Sequence, residues 1–178
     1  MRTSCPAILC LAFLVMSGCG GAGLAAAGEA TRISAYGISL TLARGWEGRI
    51  YRLSPKSAVT VEAATAALPP PGSFVPAKEL DPDGAYLVID DIGAPPPGLG
   101  REKAWELNPP LPIVIRTGDV QGPWEGGYPL GASRSVVVAN RALMIRVRFG
   151  AASDDRRLAE VNELLASLVV DRVEASRE

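Results

Sequence analysis

The sequence predicts an α+β fold, in which an antiparallel β-sheet of about six to seven strands carries a C-terminal helix packed on it. Three observations predict this class. Short segments with a period of two, typical of half-buried strands, recur between turns rich in Gly and Pro. One segment near the C-terminus has the apolar spacing of an amphipathic helix. A last segment rich in valine, residues 169–173, follows this helix and predicts a closing strand.

The N-terminus has the three parts of an export signal. Arg2 supplies a positive end, and the apolar run over residues 6–16 is shorter than the about 20 residues that span a bilayer. Ser17-Gly18-Cys19 then resembles the end of a bacterial lipobox. We therefore expect residues 1–18 to be a lipoprotein signal peptide and Cys19 to be the lipid-attachment residue. The alternative is cleavage near Ala27, which would release a secreted protein.

The rest of the chain divides into a tether, one domain and a tail. Residues 19–30 are rich in Gly and Ala and predict a flexible tether with a reach of about 20 Å. Residues 31–173 suit a single globular domain, and residues 174–178 form a charged tail. Two of the three cysteines lie in the signal and Cys19 would be lipidated, so we expect a domain without disulfides.

The composition disfavours several function classes. The sequence has no histidine, which removes Ser-His-Asp and Cys-His catalysis and the usual ligand of zinc and iron. The formal net charge is −1, and no basic pattern indicates nucleic acid as a partner. We expect no cofactor, no metal site and no enzymatic activity.

Alternation of apolar and polar residues places the strands in order. Residues 31–43 predict two strands that meet at Gly37. The strands that follow are separated by loops rich in Gly and Pro. The remaining predictions are a turn at 45–48, strands at 49–53, 57–66, 86–90 and 113–115, loops at 68–71 and 93–100, one helical turn at 102–107 and irregular structure at 118–130.

The strongest local pattern lies over residues 133–150. It predicts a hairpin with Asn140-Arg141 as its two-residue loop, because Asn tolerates the positive φ that such loops need. This loop pairs Val138 with Leu143 and Val136 with Ile145, and these side chains are assigned to the core.

The opposite face of this hairpin carries a candidate site for an anion or a partner, made of Arg146, Arg148, Ser133 and Ser135. Strand side chains alternate, so the two arginines share a face and the two serines lie across the hairpin from them. The guanidinium fork suits an oxyanion. The alternative is that Asp or Glu from a neighbouring strand already pairs with these arginines.

The amphipathic helix follows directly. Ser153 is predicted to be its N-cap, with Asp154 and Asp155 in the first turn, where the helix dipole favours negative charge. Its apolar stripe is predicted to pack on the core face of the hairpin and consists of Leu158, Val161, Leu164, Leu165 and Leu168.

Two acidic segments have both a chemical and a structural interpretation. Residues 81–84, Asp-Pro-Asp-Gly, match a fragment of a calcium loop, but a plain turn has the same composition and is favoured. Asp90 and Asp91 are the pair of acids that an enzyme hypothesis would use.

The order of these parts resembles the PsbP-like α/β sandwich, and more narrowly small actinobacterial-type envelope proteins. The resemblance rests on Tyr36-Gly37-Ile38-Ser39-Leu40 running into Gly45-Trp46-Glu47-Gly48, then a hairpin about Arg141, a helix with Val161-Asn162 and a closing strand. It implies a binding or assembly module without catalysis, and it transfers no site residue.

We therefore expect a membrane-tethered, extracytoplasmic, non-catalytic binding or assembly module. Its partners would be the membrane, through lipidated Cys19, and an envelope protein or anionic headgroups. The alternative function is a carrier or sensor of an amphipathic or lipid ligand, with an apolar cavity between sheet and helix. Oligomeric state stays open.

Overall fold

The structure, a computed structural model of the chain, describes residues 30–95 and 105–172. Within these residues, nine strands, one α-helix and short 3₁₀ turns form the regular structure. In chain order the strands and the helix are β1 (Thr31–Ala35), β2 (Ile38–Leu42), β3 (Glu47–Tyr51), β4 (Val59–Ala64), β5 (Ala85–Asp91), β6 (Trp105–Leu107), β7 (Leu130–Val138), β8 (Arg141–Phe149), α1 (Asp155–Ala166) and β9 (Val169–Val170). The predicted α+β class is confirmed.

The strands form two sheets and not the single predicted sheet. The smaller sheet has the order β1-β2-β9, and the larger has the order β3-β4-β5-β8-β7-β6. The chain changes sheet after the turn at Gly45, because β3 pairs antiparallel with β4 and not with β2. β6 runs parallel to β7, so the larger sheet is mixed. Alternation along a strand locates the strand but does not say which neighbour it pairs with.

The predicted loop of the β7–β8 hairpin is wrong by one residue. The loop is Ala139-Asn140, with φ angles of 53° and 60°, and Arg141 is the first residue of β8. Val136 therefore pairs with Leu143. The register is shifted by two residues from the predicted one, and because the side-chain period in a strand is two, both faces keep their predicted residues.

The main core lies between one face of the larger sheet and a second layer made of α1 and the smaller sheet. The helix contributes Val161, Leu164 and Leu165, which are all buried, in agreement with the predicted stripe. The sheet contributes the predicted inner face of the hairpin, which joins the same cluster: Val136, Leu143, Ile145, Val147 and Phe149.

The N-cap of α1 is Asp154 and not the predicted Ser153. The Asp154 carboxylate accepts a hydrogen bond from the backbone N–H of Arg157 at 3.1 Å. Ser153 is engaged elsewhere, because its hydroxyl donates to the carbonyl of Gly84 at 2.9 Å. A carboxylate at this position also interacts favourably with the helix dipole.

The predicted strand at 113–115 is wrong, although the two outer residues of the segment are buried as the alternating pattern predicts. Ile113 and Ile115 are buried in the main core, but the segment pairs with no strand. Side chains supply its hydrogen bonds. Arg134 on β7 donates its Nη1 to the carbonyl of Val114 at 2.5 Å, and Asn162 on the helix binds Ile115. The Asn162 side chain accepts from the N–H of Ile115 at 2.8 Å and donates to its carbonyl at 3.0 Å.

The helical turn predicted at 102–107 is also wrong for its described part, since β6 is a strand. Trp105 packs on Val137 and Ala142, on the side of the larger sheet away from α1. Residues 102–104 lie outside the described residues.

Arg141 links the two sheets. Its Nε donates to Oδ2 of Asp91 at 2.9 Å, and its Nη1 and Nη2 donate to the carbonyl of Tyr36 at 3.1 and 3.2 Å. Arg141 is 4% exposed and Asp91 is 2% exposed. A buried ion pair thus connects β5 and β8 to the turn between β1 and β2.

Several expectations fall outside the described residues. These are the signal peptide, Cys19, nearly all of the tether, part of the loop at 93–100, Val173 at the predicted end of the last strand, and the tail. No α-helix among the described residues has the length and apolar character needed to cross a membrane.

Candidate functional site

A row of charged and aromatic side chains lies on the outer face of the larger sheet, which we define as the face turned away from α1 and the smaller sheet. Strand pairing places Glu62, Val88 and Arg146 in one row across β4, β5 and β8. Tyr86 and Arg148 pair in the next row. The two arginines therefore occupy successive outward positions of β8.

Arg146 is paired within the protein. Its Nη2 donates to Oδ2 of Asp90 on β5, and the other oxygen of this carboxylate accepts from the Thr60 hydroxyl at 2.9 Å. Its Nε is buried without an acceptor. For this arginine, the pairing alternative raised by the sequence holds, because a neighbouring strand supplies the carboxylate.

Glu62 is the buried acceptor at the centre of a second cluster and is 2% exposed. Its carboxylate accepts hydrogen bonds from Arg49 Nε at 2.7 Å, from the Tyr51 hydroxyl at 3.1 Å and from the Tyr86 hydroxyl at 2.8 Å. Burial, and then the hydrogen bond to Glu62, raise the pKa of Tyr86 far above its usual range. The Glu62 charge is therefore compensated by Arg49, and both phenols stay protonated as donors.

Arg148 differs from both other arginines of this face. It is 5% exposed, yet its Nε and Nη1 are buried without any hydrogen-bond acceptor. Its guanidinium lies against three rings, at 5.0 Å from the centroid of Phe74, 5.5 Å from Tyr86 and 5.2 Å from Tyr128. Rings at these distances stabilise the cation through their π-electrons but accept no conventional hydrogen bond.

A pocket of about 380 Å³ opens beside Arg148. It is lined by Phe74, Val75, Pro76, Glu125, Gly126, Tyr128, Arg146 and Arg148. Arg148 forms part of its wall, Phe74 is 56% exposed, and Glu125 is also exposed. The pocket thus combines a cation that lacks acceptors with an apolar wall.

Two loops build the pocket over the sheet. The Tyr128 hydroxyl donates to the carbonyl of Val75, which ties the loop after β4 to the loop before β7. Trp124 packs directly over Gly131, where an added Cβ would come within 2.4 Å of the indole. Gly131 pairs with Arg148 across the hairpin, so glycine at this position lets the second loop lie close to the guanidinium.

The two predicted serines do not belong to this pocket. Ser133 pairs with Arg146 and is exposed, while Ser135 pairs with Met144. Neither lines the pocket, and the shifted register accounts for their displacement along β8. No sequence pattern predicts the rings of Phe74, Tyr86 and Tyr128 at this site, because they come from three separate segments.

The other chemical candidates of the sequence resolve into structural roles. Asp90 and Asp91 point to opposite faces of β5, where Asp90 pairs with Arg146 and Asp91 with Arg141, so they form no catalytic pair. Residues 81–84 form the favoured turn, in which the N–H of Gly84 donates to the carbonyl of Asp81 at 2.8 Å. Across residues 30–95 and 105–172, no group of three His, Cys, Asp or Glu residues is arranged to hold a metal ion.

An apolar groove of about 770 Å³ lies at one end of the sandwich, near the C-terminal end of α1. Leu111 and Val169 on its rim are 67% and 49% exposed. The groove is lined only by apolar residues: Leu111, Pro112, Ile113, Val138, Ala139, Leu165, Ala166, Leu168, Val169 and Val170.

Comparisons with known proteins yield no relative. No family model, no curated protein and no solved structure matches the chain. Its function must therefore be argued from its own residues.

Proposed function

We propose that the protein is an extracytoplasmic lipoprotein, held at a membrane by lipid on Cys19, that acts as a non-catalytic binding module. The apolar run and Ser17-Gly18-Cys19 support the anchor. Two acyl chains or more hold a protein stably at a bilayer, whereas one does not. The absence of histidine from the sequence and the opposite orientations of Asp90 and Asp91 favour binding over catalysis.

The finer assignment of the fold is the PsbP-like sandwich. It is supported by the early β1–β2 hairpin, the late β7–β8 hairpin, the helix and the short closing strand, which follow the order of that architecture. The role of a binding or assembly module comes with this assignment.

The binding site in this proposal is the pocket beside Arg148, and its ligand carries an anionic group. One observation carries the proposal, namely a buried guanidinium whose Nε and Nη1 have no acceptor. Leaving a buried charged group unpaired costs a protein several kcal/mol. An anion in the pocket would remove this cost and would use the guanidinium donors.

Thermal unfolding with different anions tests the site. At 100 times its Kd, an anion that binds only the folded state contributes about 2.7 kcal/mol, which is about 5–10 °C in Tm for a domain of this size. We expect at least one of acetate, phosphate and a larger organic anion to raise the Tm of the wild type but not that of Arg148→Gln. Arg156→Gln is the matched control, because the Arg156 side chain is 65% exposed on α1. Equal shifts in all three proteins would contradict the site.

Fractionation of cells tests the anchor. Cys19→Ala is expected to leave the membrane fraction while its melting curve stays that of the wild type, because Cys19 precedes the predicted tether. A Cys19→Ala protein that has lost its signal and stays in the membrane pellet would contradict the lipoprotein assignment.

The apolar groove favours a second function, the carriage of an acyl chain. Its volume lies within the range of about 300–1,000 Å³ of small-molecule sites, and its lining residues carry no polar side chain, which suits an acyl chain. Leu165 also belongs to the main core, so Ala166→Trp is the better probe, since it adds bulk to the groove from an exposed position. A carrier purified from its host would release lipid on solvent extraction, and Ala166→Trp would release less.

A further inference from the structure

We infer that the ligand of the Arg148 pocket is a monoanionic carboxylate carried on an apolar body, and not a phosphate. This inference rests on the proposed function, since it names the chemistry of the ligand at the same site. It follows from three observations: Arg148 has no carboxylate partner, the surrounding hydroxyls already donate hydrogen bonds within the protein, and the rest of the pocket wall is apolar.

Among the described residues, Arg148 is the arginine of the outer face that has no carboxylate partner. Glu47 also lies on this face, but its carboxylate accepts from the N–H of Leu68 at 3.1 Å. Glu62 is paired with Arg49 and Asp90 is paired with Arg146, so two of the three arginines are neutralised within the sheet. Arg148 remains, and one negative charge balances it. A carboxylate supplies one charge, whereas a phosphate monoester supplies about 1.5 to 2 at neutral pH.

Within the described part of the chain, the pocket offers no further unpaired cation to a ligand with a second negative charge. Arg146 also lines it, but its guanidinium already binds Asp90. Glu125 is another lining residue, and its carboxylate would repel the additional charge of a phosphate. The pocket therefore suits a single compact anion placed against Arg148.

The hydroxyl groups around Arg148 are already used as donors. The Tyr86 hydroxyl donates to Glu62 at 2.8 Å, and the Tyr128 hydroxyl donates to the carbonyl of Val75. They are not free to donate to the several oxygens of a phosphate. The buried donors without an acceptor on this side of the sheet are the Nε and Nη1 of Arg148, the Nε of Arg146 and the indole Nε1 of Trp124. Guanidinium N–H groups bind carboxylate and phosphate oxygens alike, so the preference for a carboxylate comes from its single charge and from the lack of free hydroxyl donors.

The body of the ligand is apolar because the rest of the wall is apolar. Phe74 exposes 56% of its surface, and Val75, Pro76 and Tyr128 continue the same wall. An aliphatic or aromatic group attached to the carboxylate would cover the Phe74 ring when the carboxylate reaches Arg148. Such a group belongs either to a small carboxylic acid or to the C-terminal residue of a peptide.

Calorimetric titration of the full-length protein in detergent tests the inference with three matched probes. They are 3-phenylpropionate, 2-phenylethyl phosphate and 3-phenylpropionamide, which share an aromatic body and differ in charge. We expect the carboxylate to bind at least tenfold more tightly than the phosphate and the amide. Arg148→Gln should lose at least tenfold of this affinity, and Arg156→Gln should keep it. The wild-type series alone decides the question if Arg148→Gln does not fold.

The outcomes separate the ligand chemistry from the site itself. A preference for the phosphate overturns the carboxylate inference and leaves an anion site in place. Binding of none of the anions overturns the proposed site as well. To separate the two sources, short peptides ending in Phe with a free carboxylate or an amide are compared with 3-phenylpropionate. A peptide acid that binds more tightly than the small acid indicates a protein C-terminus, and the reverse order indicates a free acid.

Glu125 provides a further test, because its own carboxylate could neutralise Arg148. Under the inference, Glu125→Gln binds 3-phenylpropionate several-fold more tightly and its Tm without ligand is unchanged. If Glu125 itself occupies the site, Glu125→Gln lowers the Tm of the free protein, and the carboxylate binds only to this variant. That result would overturn the inference.

Discussion

Replacing Arg141 by methionine is expected to destabilise the protein by about 3–5 kcal/mol. Methionine keeps much of the side-chain volume but removes the donors to Asp91 and to the carbonyl of Tyr36. Asp91 is 2% exposed and would be left buried without its partner, and breaking a buried pair from one side has a cost of this size. The loss is a large part of the about 5–15 kcal/mol by which domains are stable.

The double replacement separates the unpaired charge from the lost packing. In Arg141→Met with Asp91→Asn, no buried charge remains at this position, and the amide oxygen can still accept the hydrogen bond that the N–H of Gly93 makes to Asp91 at 2.9 Å. We expect this variant to regain about 2 kcal/mol relative to Arg141→Met. Urea unfolding followed by tryptophan fluorescence gives both values, provided that the m-value is unchanged.

An exposed ion pair of the same chain serves as the control. The Arg156 side chain is 65% exposed and lies 3.5 Å from Glu160 on the surface of α1. Arg156→Met should therefore cost less than about 1 kcal/mol, as is usual for surface pairs. If Arg141→Met costs no more than Arg156→Met, or if the double variant is no more stable than Arg141→Met, the reasoning about the buried pair is refuted.

Three further predictions concern the helix and the buried tyrosines. Leu165→Ala should cost about 2–5 kcal/mol in urea melts, since Leu165 is 2% exposed in the main core; a loss under about 0.5 kcal/mol would place it at the surface. Asp154→Ala should cost about 0.5–2 kcal/mol through the lost N-cap, whereas Ser153→Ala, a change outside the cap, should not shorten α1 in circular dichroism. Burial raises the pKa of both Tyr86 and Tyr128, so the unfolded chain loses these phenol protons first, and stability should fall as the pH rises above about 10, by up to about 1.4 kcal/mol per pH unit for each tyrosine. Urea midpoints that stay constant between pH 9 and 11.5 would contradict this.

The sequence predicts most of the secondary structure correctly because its strands and helix carry strong local periods. The inner face of β8 and the stripe of α1 are assigned correctly for this reason. The failures occur where a distant side chain decides. Residues 113–115 alternate like a strand, but their hydrogen-bond partners are side chains: Asn162 lies 47 positions from Ile115, and Arg134 lies 20 positions from Val114. The predicted loop of the β7–β8 hairpin includes Arg141, but this residue is the first of β8, and its side chain binds Asp91, 50 positions away.

The candidate site is predicted in part for the same reason. The period of two in β8 is enough to place Arg146 and Arg148 on one face. It does not tell the two arginines apart, since Asp90 pairs with Arg146 from another strand, and three rings from separate segments surround Arg148. These contacts depend on the order of strands in the sheet, which a single sequence does not encode in any local pattern.

The amide hydrogen of Ile115 is a natural reporter of motion in this protein. It is bonded to the side chain of Asn162, so it is shielded from solvent only while α1 stays in place. Its exchange with deuterium should therefore follow the opening of the helix, although the segment itself is neither helical nor part of a sheet. The exchange rate of this one proton would thus measure how often α1 separates from the segment around Ile115.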